Sequence, residues 1–267
     1  MCNYRDMTYL RDEFIEKGKS ARQIATQCGV SMSTIEKWIE KFNLYGIKPK
    51  TLYSLDTSKI AHTPIFYYYA GLIATDGYID KKNHRVNLRM KNKGVDTVLR
   101  HLKDYFCFTG EVRCYKGSYD LTITSQELID LLLSLNVTDT NKSFTVGVPN
   151  SFPSEDCARM YMRGVLDGDG NVGIVHMQNG KIGLRGFRLT KGSATFIEGL
   201  CRVLYDYLTI STSPVYRKFG NGNTYPSLEM RVADTRIFYK WVYQGYVDYR
   251  LPEKFNVAKS LVEDIVC

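Results

Sequence analysis

One segment of this chain occurs twice, and few folds accommodate such a duplication. Residues 66–79 read FYYYAGLIATDGYI and residues 159–172 read RMYMRGVLDGDGNV. Gly71 aligns with Gly164, Asp76 with Asp169 and Gly77 with Gly170, each pair 93 residues apart. Both copies are apolar and helix-like, end in Asp-Gly and lead straight into strand-like sequence. A repeat of this kind implies two structural units that pack together. At 267 residues, the chain has room for two such units and one small module.

The sequence after the first copy alternates strictly. In Arg85-Val86-Asn87-Leu88-Arg89-Met90-Lys91 the apolar residues fall on one face, and Arg85, Asn87, Arg89 and Lys91 fall on the other. This period of two predicts a half-buried strand. Its polar row has no acid, and it offers the donor groups that bind phosphates and purine edges. Arg113, Lys181, Arg185, Arg188 and Arg217, on or beside the other expected strands, extend the same basic surface.

Each unit reads α-β-β-α-β-β-α. In the first, helices over 95–106 and 125–135 flank strands over 111–116 and 119–124. In the second, strands over 171–177, 181–190, 214–219 and 227–232 accompany helices over 193–207 and 234–243, and a last helix follows Pro252. The predicted fold class is α+β: two pseudo-symmetric units whose antiparallel sheets, covered by helices on one side, join in a concave basic surface.

The two Asp-Gly helices carry small residues (Ala70, Gly71, Ala74, Gly164 and Gly168) that let backbones approach closely. If the helices pack there, their C-terminal ends meet and Asp76 and Asp169 lie side by side. Two adjacent carboxylates repel and need a cation. A hard divalent ion fits oxygen ligands, Mg²⁺ above all, with Mn²⁺ or Ca²⁺ as substitutes. A metal between paired acids can hydrolyse phosphodiesters by polarising the phosphate and activating water. A calcium loop opening at Asp167 fits poorly, because Val172 and Gln178 stand where that loop needs Gly and Glu.

Tyr69-Ala70-Gly71-Leu72-Ile73-Ala74-Thr75-Asp76-Gly77 and Met162-Arg163-Gly164-Val165-Leu166-Asp167-Gly168-Asp169-Gly170 resemble the motif of the LAGLIDADG homing endonucleases. The first copy is identical to it at Ala70, Gly71, Leu72, Ile73, Asp76 and Gly77, and the second at Gly164, Asp167, Asp169 and Gly170. The resemblance covers about residues 60–265. It implies that the motif helices form the interface between half-domains and that Asp76 and Asp169 hold divalent metals. It also implies that the sheets form a saddle on the DNA major groove. Lys142, in Thr140-Asn141-Lys142-Ser143, and Lys254, in Leu251-Pro252-Glu253-Lys254, match the family lysines that position or activate water. Asn92 and Thr190 match a polar residue that orders water near the metal. Two positions depart from the pattern. Ala74 stands where the family often has Asp, and Arg163 replaces a small residue, which alters packing or reaches a phosphate.

The first fifty residues have another logic. Helices are expected over 7–18, over 21–28 with Ser20 as cap, and from Ser31 or Ser33 to about Phe42. Ala25, Gly29, Ile35 and Trp38 supply the small residue, the turn glycine and the buried face of a helix-turn-helix. Ser33, Thr34, Lys37 and Lys41 remain exposed, as suits a helix entering a groove. Nine Lys and Arg against six Asp and Glu over 1–50 leave this module only mildly basic, so it assists binding. The expected domains are 1–46 (helix-turn-helix), 47–63 (linker), 64–150 and 151–267 (half-domains).

A net charge of +8 alone leaves nucleic acid, an anionic membrane or an acidic protein as partners, and the repeat narrows these to nucleic acid. No apolar run is long enough to span a bilayer, and the N-terminus lacks the apolar stretch of a signal peptide. Seven cysteines without a CxxC pair argue against a zinc site or a disulfide framework. They read as small buried thiols in a reducing cytoplasm. The sequence thus points to a monomeric, metal-dependent endodeoxyribonuclease that cuts both strands of a long DNA target. A non-cleaving DNA-binding regulator and an RNA-binding intron maturase are the alternatives. An intein is not expected, given the Met start and the Asp264-Ile265-Val266-Cys267 end.

Overall fold

The computed structural model describes residues 2–17, 19–46, 55–171, 173–176, 182–220 and 222–262. The chain separates near residue 51 into an N-terminal unit and a larger one.

In the N-terminal unit, Asp6 caps α1 (Met7–Arg11) by accepting from the Thr8 N–H at 2.7 Å. The next turn, Asp12–Glu16, is a π-helix, so the single helix expected over 7–18 changes its winding midway. Ser20 and Gln23 form a reciprocal capping box on α2 (Ala21–Cys28), which stops at Gly29 in the left-handed conformation, φ 64°. Ser31, not Ser33, caps α3 (Met32–Lys41). Leu10, Phe14, Ile24, Ala25, Ile35, Ile39 and Leu44 form the core of this unit. Ser33 and Lys37 are exposed and Thr34 is half-buried. Cys2 and Cys28 form a disulfide, Cα–Cα 5.3 Å, while Cys107 and Cys114 are exposed and Cys157 and Cys201 buried, so the thiols are not uniformly buried.

The expected linker contains a short helix, α4 (Thr57–Ile60), and its residues 47–54 lie outside the described ones. Thr63 then caps α5 (Pro64–Thr75), with Pro64 in the first turn, where a missing N–H costs nothing. The first repeat continues through β1 (Gly77–Asp80), β2 (Arg85–Met90), α6 (Val95–Tyr105), β3 (Arg113–Tyr115), β4 (Ser118–Thr124), α7 (Gln126–Ser134) and α8 (Lys142–Thr145). Its antiparallel sheet has the order β1-β2-β4-β3. Along β2, Val86, Leu88 and Met90 are buried, and Arg85, Asn87 and Arg89 face outward.

The second repeat consists of α9 (Glu155–Gly168), β5 (Ile174–His176), β6 (Ile182–Leu184), β7 (Arg188–Thr190), α10 (Ala194–Leu208), β8 (Val215–Lys218), β9 (Thr224–Glu229), α11 (Val232–Val242) and α12 (Pro252–Leu261). Its sheet runs β7-β9-β8, and β5-β6 is a separate hairpin. The single strand expected over 181–190 is therefore broken. The break lies at Gly186, where a Cβ would overlap the Met230 carbonyl oxygen, so only glycine lets the chain pass. Both repeats share one apolar core that includes α5 and α9. Among the described residues, no helix is long and apolar enough to cross a membrane.

Candidate active site and nucleic-acid interface

The helices α5 and α9 cross at their glycines. A Cβ on Gly71 would overlap the Tyr161 carbonyl and stand 3.1 Å from the Gly164 Cα. A Cβ on Gly164 would overlap the Tyr68 carbonyl and stand 3.0 Å from the Gly71 Cα. The contact is reciprocal, and backbone meets backbone on both sides. Such proximity requires glycine at both positions and brings the two helix ends together.

Asp76 and Asp169 are the C-terminal caps of these helices. Asp76 is half-buried, and its carboxylate lies beside Gly168, whose added Cβ would sit 3.3 Å from Oδ2. Burial, and then the charge of Asp169, raise the Asp76 carboxyl above the ordinary range. Three ammonium groups act in the opposite direction, those of Lys254, Lys191 and Lys142.

The lysines have distinct partners. Lys142 Nζ donates to the carbonyls of Ile73 at 2.8 Å, Thr75 at 2.9 Å and Gly77. Lys254 Nζ donates to those of Leu166 at 2.8 Å, Asp167 at 2.7 Å and Gly168 at 2.6 Å. Each closes the carbonyl end of one motif helix, where a cation is favourable. Family resemblance directs these lysines toward water, but here all three protons of each bind carbonyl oxygens. Burial, reinforced by Lys191, lowers Lys142 to about 8, and burial lowers Lys254.

Lys191 was not singled out from the sequence. It forms an ion pair with Asp169 and reaches the Thr75 carbonyl at 3.5 Å, so it bridges the two helix ends. Its neighbour Thr190 pairs its hydroxyl with Ser227 at 2.6 Å, and the Asn92 carbonyl accepts the Val95 N–H. Neither Asn92 nor Thr190 hydrogen-bonds to the acids among the described residues. The only sequence signal for Lys191 was adjacency to Thr190.

Among the described residues, no three His, Cys, Asp or Glu side chains gather at one point. A cation here would have two carboxylates, with water and substrate oxygens completing its shell. That donor set suits a hard ion of the Mg²⁺ type, which is held by one or two carboxylates plus phosphate oxygens.

Arg163 does not reach toward a phosphate. It is fully buried and donates to five carbonyls: Nε to Val242 at 2.7 Å, Nη2 to Gln244 at 2.7 Å, and Nη1 to Gly245, Tyr246 and Tyr249 at 3.0, 3.0 and 3.2 Å. One turn on, buried Asp167 accepts from the Tyr68 hydroxyl at 2.8 Å, the Tyr243 hydroxyl at 3.3 Å and the Leu251 N–H at 2.8 Å. Together they fasten the 242–251 segment that leads into α12 and Lys254.

The basic sheet faces contain acids contributed by neighbouring strands. Asp120 on β4 accepts from Arg89 Nη2 at 2.9 Å and Nε at 3.2 Å, and from Asn87 at 2.8 Å. On the second sheet, Glu229 pairs with both Arg217 and Arg188. Arg85, Lys91, Arg113, Arg185 and Arg188 are exposed, and Lys181 lies outside the described residues.

Comparison with known proteins adds two findings. Residues 9–50 match the family model described as a homeodomain-like domain. No curated protein matches the chain. Among solved structures, the homing endonuclease I-WcaI bound to its DNA recognition sequence aligns with a TM-score of 0.51 at 18% identity, over 74% of this chain and 87% of that chain. The larger unit has the fold of a LAGLIDADG homing endonuclease. I-DmoI in complex with DNA and Ca is similar at a TM-score of 0.47 and 14% identity, over 73% of this chain and 96% of that chain. The N-terminal LAGLIDADG domain of DUF199/WhiA is similar at 0.47 and 12% identity, over 73% and 86% respectively. In the LAGLIDADG fold of this chain, the glycine crossing and the paired aspartates coincide with the two motif copies.

Proposed function

We propose that this chain is a monomeric, site-specific endonuclease that hydrolyses both strands of a long double-stranded DNA target with divalent metal held at Asp76 and Asp169. One observation carries the reading: α5 and α9 cross at Gly71 and Gly164 and end in Asp76 and Asp169, with Asp76 Oδ2 beside Gly168 of the facing helix and its carboxyl raised by burial and then by the charge of Asp169. A cation between them relieves that repulsion. When bound, it supplies Lewis acidity to a phosphate oxygen and an activated water.

The remaining work falls to the chain. Lys142 and Lys254 fix the helix ends that carry the acids, and Lys191 holds Asp169. The outward residues of β2 and of the β7-β9-β8 sheet meet the DNA, and the homeodomain-like helices add contacts of their own.

The test uses a plasmid library with randomised inserts, incubated with the full chain in Mg²⁺ or in EDTA. Linear product in Mg²⁺ alone, with one recurring cut sequence, is expected. Bound but intact DNA in Mg²⁺ would contradict the nuclease reading and leave the regulator. Deleting residues 1–46 should weaken binding and shorten the protected footprint; an unchanged footprint would remove that module from the account.

A further inference from the structure

We propose that each sheet carries an arginine pre-aligned by a carboxylate to read guanine: Arg89 held by Asp120 on the first sheet, and Arg217 held by Glu229 on the second. The proposal rests on the DNA reading above and concerns its specificity.

The geometry of the guanidinium carries the argument. Arg89 uses Nε and Nη2 on one oxygen of Asp120. The other oxygen of Asp120 accepts the Thr122 hydroxyl at 2.8 Å, and Asn87 donates to both Asp120 and Thr122, so the carboxylate is itself fixed. Arg217 uses Nε and Nη2 on the two oxygens of Glu229. In each case one edge of the planar group is occupied. The Nη1/Nη2 end, with one Nη1 hydrogen and the second Nη2 hydrogen, remains as a parallel pair of donors. That fork matches guanine O6 and N7 in the major groove, the commonest specific arginine contact.

The acids are sheltered and the arginines accessible. The side chains of Asp120 and Glu229 are 13% and 22% exposed, whereas those of Arg89 and Arg217 are 63% and 41% exposed. A phosphate-binding arginine gains from flexibility and from the absence of a competing carboxylate. An arginine committed to one plane by a fixed carboxylate loses affinity for phosphate but gains orientation. Arg188, whose Nε lies 3.2 Å from the same Glu229, adds a second cation to that hub.

The experiment selects bound sequences from a pool of randomised duplexes with the full chain in Ca²⁺, comparing wild type with Arg89→Ala, Arg217→Ala, Asp120→Asn and Glu229→Gln. Arg89 is exposed and Arg217 half-buried, neither belongs to the core, and far-UV circular dichroism checks that their truncation leaves the fold intact. The wild type should enrich sites with two separate G·C pairs. Arg89→Ala should lose the guanine preference at one pair and Arg217→Ala at the other, each by roughly 5- to 150-fold. Asp120→Asn and Glu229→Gln should relax the same two pairs, each matching its own arginine, and leave the rest of the site unchanged. Overall affinity falling uniformly over all sequences, with a shallower salt dependence, would mean phosphate contacts and overturn the proposal while sparing the DNA reading. No enrichment of any duplex by the wild type would overturn both.

Discussion

The two motif helices are built to the same plan but supported differently. In α5 the flanking positions are aromatic or small: Tyr67, Tyr68, Tyr69 and Ala74 are buried. In α9 the corresponding interior contains Arg163 and Asp167, both buried and both bonded to backbone of the 242–251 segment. The acids differ too. Asp169 has an ion pair to Lys191, and Asp76 has no ion pair among the described residues. Duplication has preserved what the crossing needs, the glycines and the terminal aspartates. It has left each repeat free to anchor its lysine by other means. In the second repeat that anchor is a buried polar network, whose cost of desolvation is offset only while every donor and acceptor is paired.

Breaking the network is the strongest way to test this contrast. Arg163→Met should destabilise the fold by about 3–5 kcal/mol, because five carbonyls lose their donors and Asp167 its nearby cation. Urea titration measures it, and a change below about 1 kcal/mol would mean the network is dispensable. Asp167→Asn sharpens the same point through pH. Burial pushes the Asp167 carboxyl from 3.8 up to about 6. The folded chain therefore holds this proton more tightly than the unfolded one, a contribution that is full below the ordinary value and lost as pH rises through about 6. Relative to wild type, the Asn variant should gain up to about 3 kcal/mol between pH 4 and pH 7, and a constant difference would contradict the account.

Smaller effects test what the repeats share. Gly71→Ala and Gly164→Ala should each cost about 1–3 kcal/mol, and equally, since each Cβ meets the facing backbone. Unequal costs would mean the crossing is less symmetric than its geometry. Lys191→Ala should change stability by less than about 1 kcal/mol, since its partner Asp169 is partly exposed. In a nicking assay it should alter the second-repeat strand more than the first. Equal effects on the two strands would remove the asymmetry of the acids.

The sequence made part of this legible. Glycine and aspartate in register exposed the crossing and its paired acids, because backbone proximity tolerates nothing larger than glycine. Alternation along β2 exposed its outward row. Asp120, which holds this row, and Glu229, which holds Arg188 and Arg217 on the second sheet, were hidden because they come from other strands, and strand register is fixed only by the assembled sheet. In sequence Arg163 reads as altering packing or reaching a phosphate, and its actual partners were hidden, since one-dimensional pattern does not reveal carbonyls converging from a loop some eighty residues later. The broken strand around Gly186 and the hairpin β5-β6 were hidden for a similar reason: both repeats were expected to have one layout, and the second departs from it.

The most direct test of the paired-acid account is strand cleavage by Asp76→Asn and Asp169→Asn on a selected target duplex in Mg²⁺, with binding followed in parallel. Each substitution keeps the shape and removes one charge from the shared site. The account requires that each variant still bind the duplex and that neither produce a double-strand break. Full double-strand cutting by either variant would contradict it.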